Sequence, residues 1–281
     1  MNILIATANN KSRNSVGMLA RALSKKHKVT VASMSSDSGH RAQAFSFVNA
    51  PTRVNKITTV SAPAKKSAKN KEETSLVANM DGIAIYEFYS NPADAMSIML
   101  GEIMLNRPPD LVICGISNGT NLGPDIYSSS HVGMAMEAVY FGKKAIVVAT
   151  EFEMGDNSPE TLKPVIQFVE KNIEKFAKLD LGPQTFLNMN LPKVDDYKDF
   201  KGVKFTQMGK TNTKYIFEPG VDPKGGKYFW ARRAEREASG DDDDMGAYNA
   251  GYISVTPISY DSTEFDMIDG LGKALKKLGK A

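Results

Sequence analysis

Asn2-Ile3-Leu4-Ile5-Ala6-Thr7 and, further on, Val29-Thr30-Val31-Ala32 are the two short apolar runs on which the fold turns. Each is a continuous hydrophobic stretch of strand length, the pattern of a strand buried on both faces. The first ends in the polar stretch Asn9–Asn14. A helical pattern follows, with Val16, Leu19, Ala20 and Leu23 on one face. Lys25 and Lys26 sit in its last turn, where cations suit the helix dipole. The second run leads into the polar loop Ser33–Gly39. Strand, helix and strand within about 30 residues make a βαβ unit and predict a parallel sheet.

The pattern continues outward. Asn91 is a good N-cap and Pro92 suits the first helical position, which predicts a helix over Asn91–Asn106. Its apolar stripe is Ala93, Met96, Met99, Leu100, Ile103 and Met104, with the methionines read as core filler. Pro108 and Pro109 stop it, and a strand Leu111–Cys114 precedes the polar, glycine-rich loop Gly115–Ser130. A helix Val132–Phe141 closes at Gly142. A buried strand follows at Ala145–Ala149, then a helix capped by Ser158 with Pro159 at its first position. Beyond about Leu181 the runs are short and β-like, at Phe186–Leu191, Val203–Thr206, Tyr215–Phe217, Tyr228–Trp230 and Tyr252–Thr256, and only Phe265–Leu278 is helical. The expected organisation is α/β, a Rossmann-like doubly wound, mostly parallel sheet over residues 1–180, then a strand-rich extension over 181–281. Such sheets bind ligands beyond the carboxyl ends of their strands, so the loops after Thr7, Ala32 and Cys114 and the segment Ser128–His131 are the places to look for chemistry.

Composition narrows the function classes. The 281 residues carry a net charge of +3, which gives no nucleic-acid signal. Lys65, Lys66, Lys69 and Lys71 cluster in Ser61–Ser75, a segment without apolar periodicity that reads as a solvated loop. The lone Cys114 excludes an intrachain disulfide and reads as a buried structural thiol. No apolar segment is long enough to cross a membrane, and Ile3–Ala6 is too short for a signal peptide, so a cytoplasmic protein is expected.

One loop carries more than its composition. It reads Cys114-Gly115-Ile116-Ser117-Asn118-Gly119-Thr120-Asn121-Leu122-Gly123 and continues through Asp125 to Ser128-Ser129-Ser130-His131-Val132-Gly133-Met134-Ala135-Met136-Glu137. This is similar to the signature of the SurE (survival protein E) family, S-G-I-N-x-G-x-N-L-G followed by Y-S-G-T-V-G-A-A-M-E. Further blocks agree in order: Asn91-Pro92-Ala93-Asp94, Arg107–Val112, Leu187–Pro192, Val221-Asp222-Pro223 with Tyr228-Phe229-Trp230, and Asp244-Met245-Gly246-Ala247 with Gly251–Pro257. The resemblance covers nearly the whole chain. It implies a Rossmann-like core, hydrolysis of nucleoside monophosphates and other phosphomonoesters with one divalent metal, magnesium or manganese, and homodimers or tetramers that exchange C-terminal segments. It also implies metal ligands from two adjacent aspartates after the first strand, a serine after the second, and the asparagine of S-G-I-N.

This chain departs from that set. The aspartate pair falls at Ala8 and Asn9 counted without a gap, or at Asn9 and Asn10 with a shift of one, and neither register gives a carboxylate. Lys11 adds positive charge nearby. Hard dications want oxygen ligands with at least one carboxylate, so neutral amides compensate poorly. Ser38-Gly39 keeps the serine position, with Asp37 before it read as a solvated loop residue. Ser117 occupies the asparagine position by direct count and Asn118 follows it. The candidate metal donors are therefore Asn9, Asn10, Ser38 and Asn118. The expected phosphate strip is Ser38, Gly39, Asn118, Gly119, Asn121, Ser129 and Ser130, whose hydroxyls and backbone N–H groups lead into a helix start. The catalytic candidates are Asn9, Ser38, Ser129 and His131. His131 could bind phosphate as a cation, act as a general acid, cap its helix inertly, or pair with His40 at a replacement metal site. Asp241–Asp244 reads as a solvated turn with Asp244 near a helix start. Three functions follow: a phosphomonoesterase with weakened metal dependence, a non-catalytic nucleotide- or phosphate-binding paralogue, and, ranked last, a structural oligomer.

Overall fold

The computed structural model describes residues 1–8, 13–57, 80, 82–152, 159–211, 214–233, 240 and 242–277. Asn9, Asn10, Lys11, the lysine-rich segment 61–75, Ser158 and Asp241 lie outside these residues. Its eleven described strands are β1 (Asn2–Thr7), β2 (Lys28–Met34), β3 (Arg53–Ile57), β4 (Ala84–Tyr89), β5 (Leu111–Asn118), β6 (Ala145–Thr150), β7 (Thr185–Leu191), β8 (Val203–Phe205), β9 (Tyr215–Val221), β10 (Lys227–Arg233) and β11 (Ile253–Ser259). The α-helices are α1 (Arg13–Ser24), α2 (Pro92–Ile98), α3 (Ser130–Tyr140), α4 (Pro159–Ala177), α5 (Asp244–Asn249) and α6 (Phe265–Lys277).

Nine strands form one sheet in the order β3-β4-β2-β1-β5-β6-β7-β11-β8. From β4 to β7 every neighbouring pair is parallel, and β3 and β11 run antiparallel to β4 and β7. This is the mostly parallel, Rossmann-like α/β sheet that the Ile3–Ala32 pattern predicts. The strand order reverses between β1 and β5, the kind of switch point at which such sheets open a crevice. The extension beyond residue 180 supplies β7, β11 and β8 to this same sheet, while β9 and β10 pair only with each other.

Each face of the sheet buries one helix layer. On one side Val16, Leu19 and Leu23 of α1 meet Leu162, Val165, Val169 and Ile173 of α4 over Ile3, Ile5 and Val31. On the other, Met96 and Met99 join Val132, Met134 and Ala138 of α3 over Leu4, Ala6 and Cys114. The α2 stripe falls as read, but its last turns widen into a π segment at Met99–Ile103, with Met104 N–H donating to Met99 C=O at 2.8 Å. The strand expected at Leu111–Cys114 runs four residues further. Its Gly115, Ser117 and Asn118 pair with Val148, Ala149 and Thr150 across a register shift. Gly115 has φ +143°, and a Cβ there would lie 2.3 Å from the Val148 carbonyl oxygen, so only glycine lets β5 close on β6. No described helix is long and apolar enough to cross a membrane.

Candidate phosphate site

The carboxyl ends of β1, β2 and β5 meet the start of α3, and Ala8 is the junction. Its N–H donates to Nε2 of His131 at 3.2 Å, and its carbonyl accepts from Ser38 N–H at 3.0 Å. Thr7 Oγ1 lies 3.5 Å from the same imidazole nitrogen. Ser130 ties the β2 loop to α3. Its hydroxyl donates to the Ser38 carbonyl in a short bond and accepts from Arg41 N–H at 2.8 Å, and its N–H donates to the Gly39 carbonyl at 3.2 Å. Ala42 N–H donates to the Ser128 carbonyl at 3.2 Å. Contact this close needs Gly133, where a Cβ would come within 2.3 Å of the Ala42 carbonyl oxygen. Ser129 is the N-cap of α3, its Oγ accepting from Val132 N–H at 3.4 Å.

Within this frame Ser38 stands out. It is 2% exposed, and its Oγ has no hydrogen-bond partner among the described residues. A buried hydroxyl left unpaired costs free energy unless a ligand supplies the partner. Asp37 is exposed and its Oδ1 accepts from Gly39 N–H at 3.4 Å, closing its own turn. His131 is buried, and desolvation, aided by the nearby charge of His40, pulls its pKa from 6.5 to about 4. The imidazole is neutral at pH 7. With Nε2 accepting from Ala8, the ring proton is assigned to Nδ1. That makes it a latch between α3 and the end of β1, with no charge of its own to offer a phosphate.

The opposite rim is made by β5, β6 and β7. Asn118 Oδ1 accepts from Phe152 N–H at 3.2 Å, and Gly119 N–H donates to the Thr150 carbonyl at 3.0 Å, so both groups fasten β5 to the end of β6. Asn121 is held by its backbone. Its N–H donates to Asn190 Oδ1 at 2.7 Å, and its carbonyl accepts from Asn188 Nδ2 at 2.7 Å and Asn190 Nδ2 at 3.2 Å. Its own buried Nδ2 has no partner among the described residues, leaving a second donor open. Sequence reasoning missed Asn188 and Asn190; their two-residue spacing on β7, which puts both amides on one face, was the available signal.

Asp244 was also missed as a site support. It is fully buried, not solvated, because its carboxylate answers two loop amides. Oδ2 accepts from Gly123 N–H at 2.8 Å and Oδ1 from Gly209 N–H at 3.0 Å. Burial raises its pKa, partly offset by those two bonds. Asp243 caps α5 through Gly246 N–H at 2.6 Å.

The described oxygens do not make a set that suits magnesium or manganese. The Asn118 carbonyl is engaged, Asp37 faces its own turn, and no three His, Cys, Asp or Glu side chains come together among the described residues. The oxygens with open capacity there, Ser38 Oγ, Ser33 Oγ and Asn188 Oδ1, are all neutral, and neutral oxygens alone compensate a dication poorly. Ser38 Oγ does suit a phosphate oxygen, as does the Asn121 amide.

Comparison with known proteins identifies relatives of this chain. A family model described as "Survival protein SurE" matches residues 5–215. The chain is 34% identical over 268 residues to a protein described as 5'-nucleotidase SurE from Thermoanaerobacter sp. (strain X514), covering 94% of this chain and 95% of the other. It is 33% identical over 196 residues to a 5'-nucleotidase SurE from Caldanaerobacter subterraneus subsp. tengcongensis, covering 69% and 74%. The crystal structure of the SurE protein from Aquifex aeolicus matches with a TM-score of 0.77 over 98% of this chain and 100% of that one, at 24% identity, a likeness of fold.

Proposed function

Because this chain belongs to the SurE family, we propose that it binds nucleoside monophosphates and other phosphomonoesters at the Ser38–Ser130 junction and hydrolyses them far more slowly than a relative with two aspartates. The observation that carries this reading is the buried, unpartnered Ser38 hydroxyl among loops fastened by Ala8, Ser130 and Arg41 N–H. Ser38 Oγ donates to one phosphate oxygen and Asn121 Nδ2 offers a second donor. A divalent ion bound here would supply charge to the transferring phosphoryl group. Catalysis of phosphoryl transfer is largely such positioned charge, so Asn9 and Asn10 in place of carboxylates remove most of the rate enhancement. The test is phosphate release from a panel of nucleoside monophosphates and an aryl phosphate, with manganese, with magnesium and with EDTA. Slow release that Ser38→Ala abolishes supports the reading, and turnover matching a two-aspartate relative contradicts it.

A second reading, ligand binding without turnover, is favoured by the engaged Asn118 carbonyl and the neutral His131, which remove one metal donor and one acid. Absence of release under every condition, with nucleotide still bound, selects it.

We also propose a homodimer or tetramer in which C-terminal segments cross between subunits. The β9–β10 hairpin exposes Phe217, Phe229 and Trp230, at 62%, 63% and 70%, an apolar surface unusual for a monomer. Along α6, Phe265, Ile268 and Leu271 are exposed at three-residue spacing. Size exclusion with light scattering tests this; a monomer at micromolar concentration would contradict it.

A further inference from the structure

Beside the Ser38 strip, where β2 and β4 end, a cleft of about 320 Å³ is lined by Ser35, Ser36, Arg41, Ser46, Ser90 and Asn91. Arg41 is the one cation among the described residues that line it. One guanidinium nitrogen, Nη1, donates to Asn91 Oδ1 at 2.7 Å. That acceptor is neutral, so it fixes the head group without cancelling its charge. The carboxylates around the cleft are hydrogen-bonded to other groups, and Asp94 lies behind the cleft wall. Asp94 accepts from the N–H groups of Ser46, Phe47 and Asn91 and from the Ser46 hydroxyl. Glu137 accepts from Gln43 and Ser97, and Glu87 from the Tyr89 hydroxyl. Among the described residues no carboxylate forms a salt bridge with Arg41. The result is an anchored guanidinium, without a salt bridge among the described residues, at a hydroxyl-lined cleft, which is how proteins recognise phosphate.

The cleft shares a wall with the phosphate site. Arg41 follows Ser38 by three residues, and its N–H donates to the same Ser130 hydroxyl that donates to the Ser38 carbonyl. A substrate whose phosphate sits at Ser38 can therefore extend into the cleft. We infer that this cleft is a subsite for a second phosphate group, so that the preferred ligands are bisphosphorylated, such as a nucleoside 3',5'-bisphosphate. This rests on the reading of the Ser38 junction as a phosphate site.

The experiment is calorimetric titration of the full chain in EDTA with a nucleoside 3',5'-bisphosphate and with the matching 5'-monophosphate. Charge-assisted bonds to the second phosphate are expected to tighten binding at least about tenfold over the monophosphate. Ser90→Asp, which puts a negative charge in the cleft, should bring that ratio to about one with monophosphate affinity held within about twofold, and Arg41→Gln should likewise bring the ratio to about one. Circular dichroism checks that both variants fold. Equal affinities in the unaltered protein overturn the subsite, as does an equal loss for both ligands in the variants, or failure of either ligand to bind. A preserved ratio without phosphate release would strike the hydrolytic part of the proposed function and leave the subsite standing.

Discussion

Protonating His131 should unlatch the site, and the size of the effect follows from its burial. The folded protein holds its pKa at about 4, against 6.5 for the free side chain. The unfolded chain therefore takes up the proton first as pH falls. The stability associated with the neutral, buried ring is fully present above pH 6.5 and is lost progressively down to about pH 4. Between about pH 7 and about pH 5 the loss is about 2 kcal/mol, a sizeable part of a typical folding free energy. The charged ring could no longer accept the Ala8 N–H, so α3 and the end of β1 would part there first. Urea unfolding followed by circular dichroism at both pH values measures this, with His131→Gln as the control. Glutamine can accept the Ala8 N–H but does not titrate. His27, also held below its ordinary value by burial, and Asp244, held above it, act alike in both proteins and cancel. The variant should lose about 2 kcal/mol less than its parent over that interval. Equal losses would refute the assignment of a neutral, latched imidazole.

Three further outcomes are expected. Asp244→Ala leaves the Gly123 and Gly209 N–H groups buried without acceptors and should destabilise by about 3 kcal/mol in urea unfolding. Because burial raises the Asp244 pKa, ionising it as pH climbs through that raised value costs stability, and Asp244→Asn should flatten this part of the pH profile. Gly133→Ala forces a Cβ against the Ala42 carbonyl oxygen and should cost about 2 kcal/mol while weakening phosphate binding, both measurable on one preparation by thermal unfolding and calorimetry. Asn9→Asp, Asn10→Asp and Ser117→Asn together should raise manganese-dependent phosphate release; no gain would mean the pocket differs from its relatives in more than these three side chains.

The sheet was legible because its strands are buried on both faces and its helices keep one apolar stripe. Ile3–Ala6 and Val29–Ala32 announce parallel pairing, and Met96, Met99 and Leu100 fall on the core side of α2 as their spacing requires. The edges were less legible. The half-exposed β3 carries no alternation that a loop would lack, and Gly115 reads as a loop residue although it lies inside β5. Ser38 and Ser129–Ser130 were found through the family's motifs, and the structure brings their loops together. The supports were harder to see, because their role is set by partners distant in sequence. Asp244 accepts from an N–H 121 residues away, and Asn188 donates to a carbonyl 67 residues away. The role of His131 was left open by the sequence, since only its burial against Ala8 decides its charge.

The central claim is that the buried Ser38 hydroxyl is the heart of a phosphomonoester site. Calorimetric titration of a nucleoside monophosphate, in EDTA, into the protein and into Ser38→Ala tests it most directly. Loss of one hydrogen bond to a charged ligand should weaken binding by about tenfold or more in a variant that folds normally. Unchanged affinity in Ser38→Ala would place the ligand elsewhere and contradict the account.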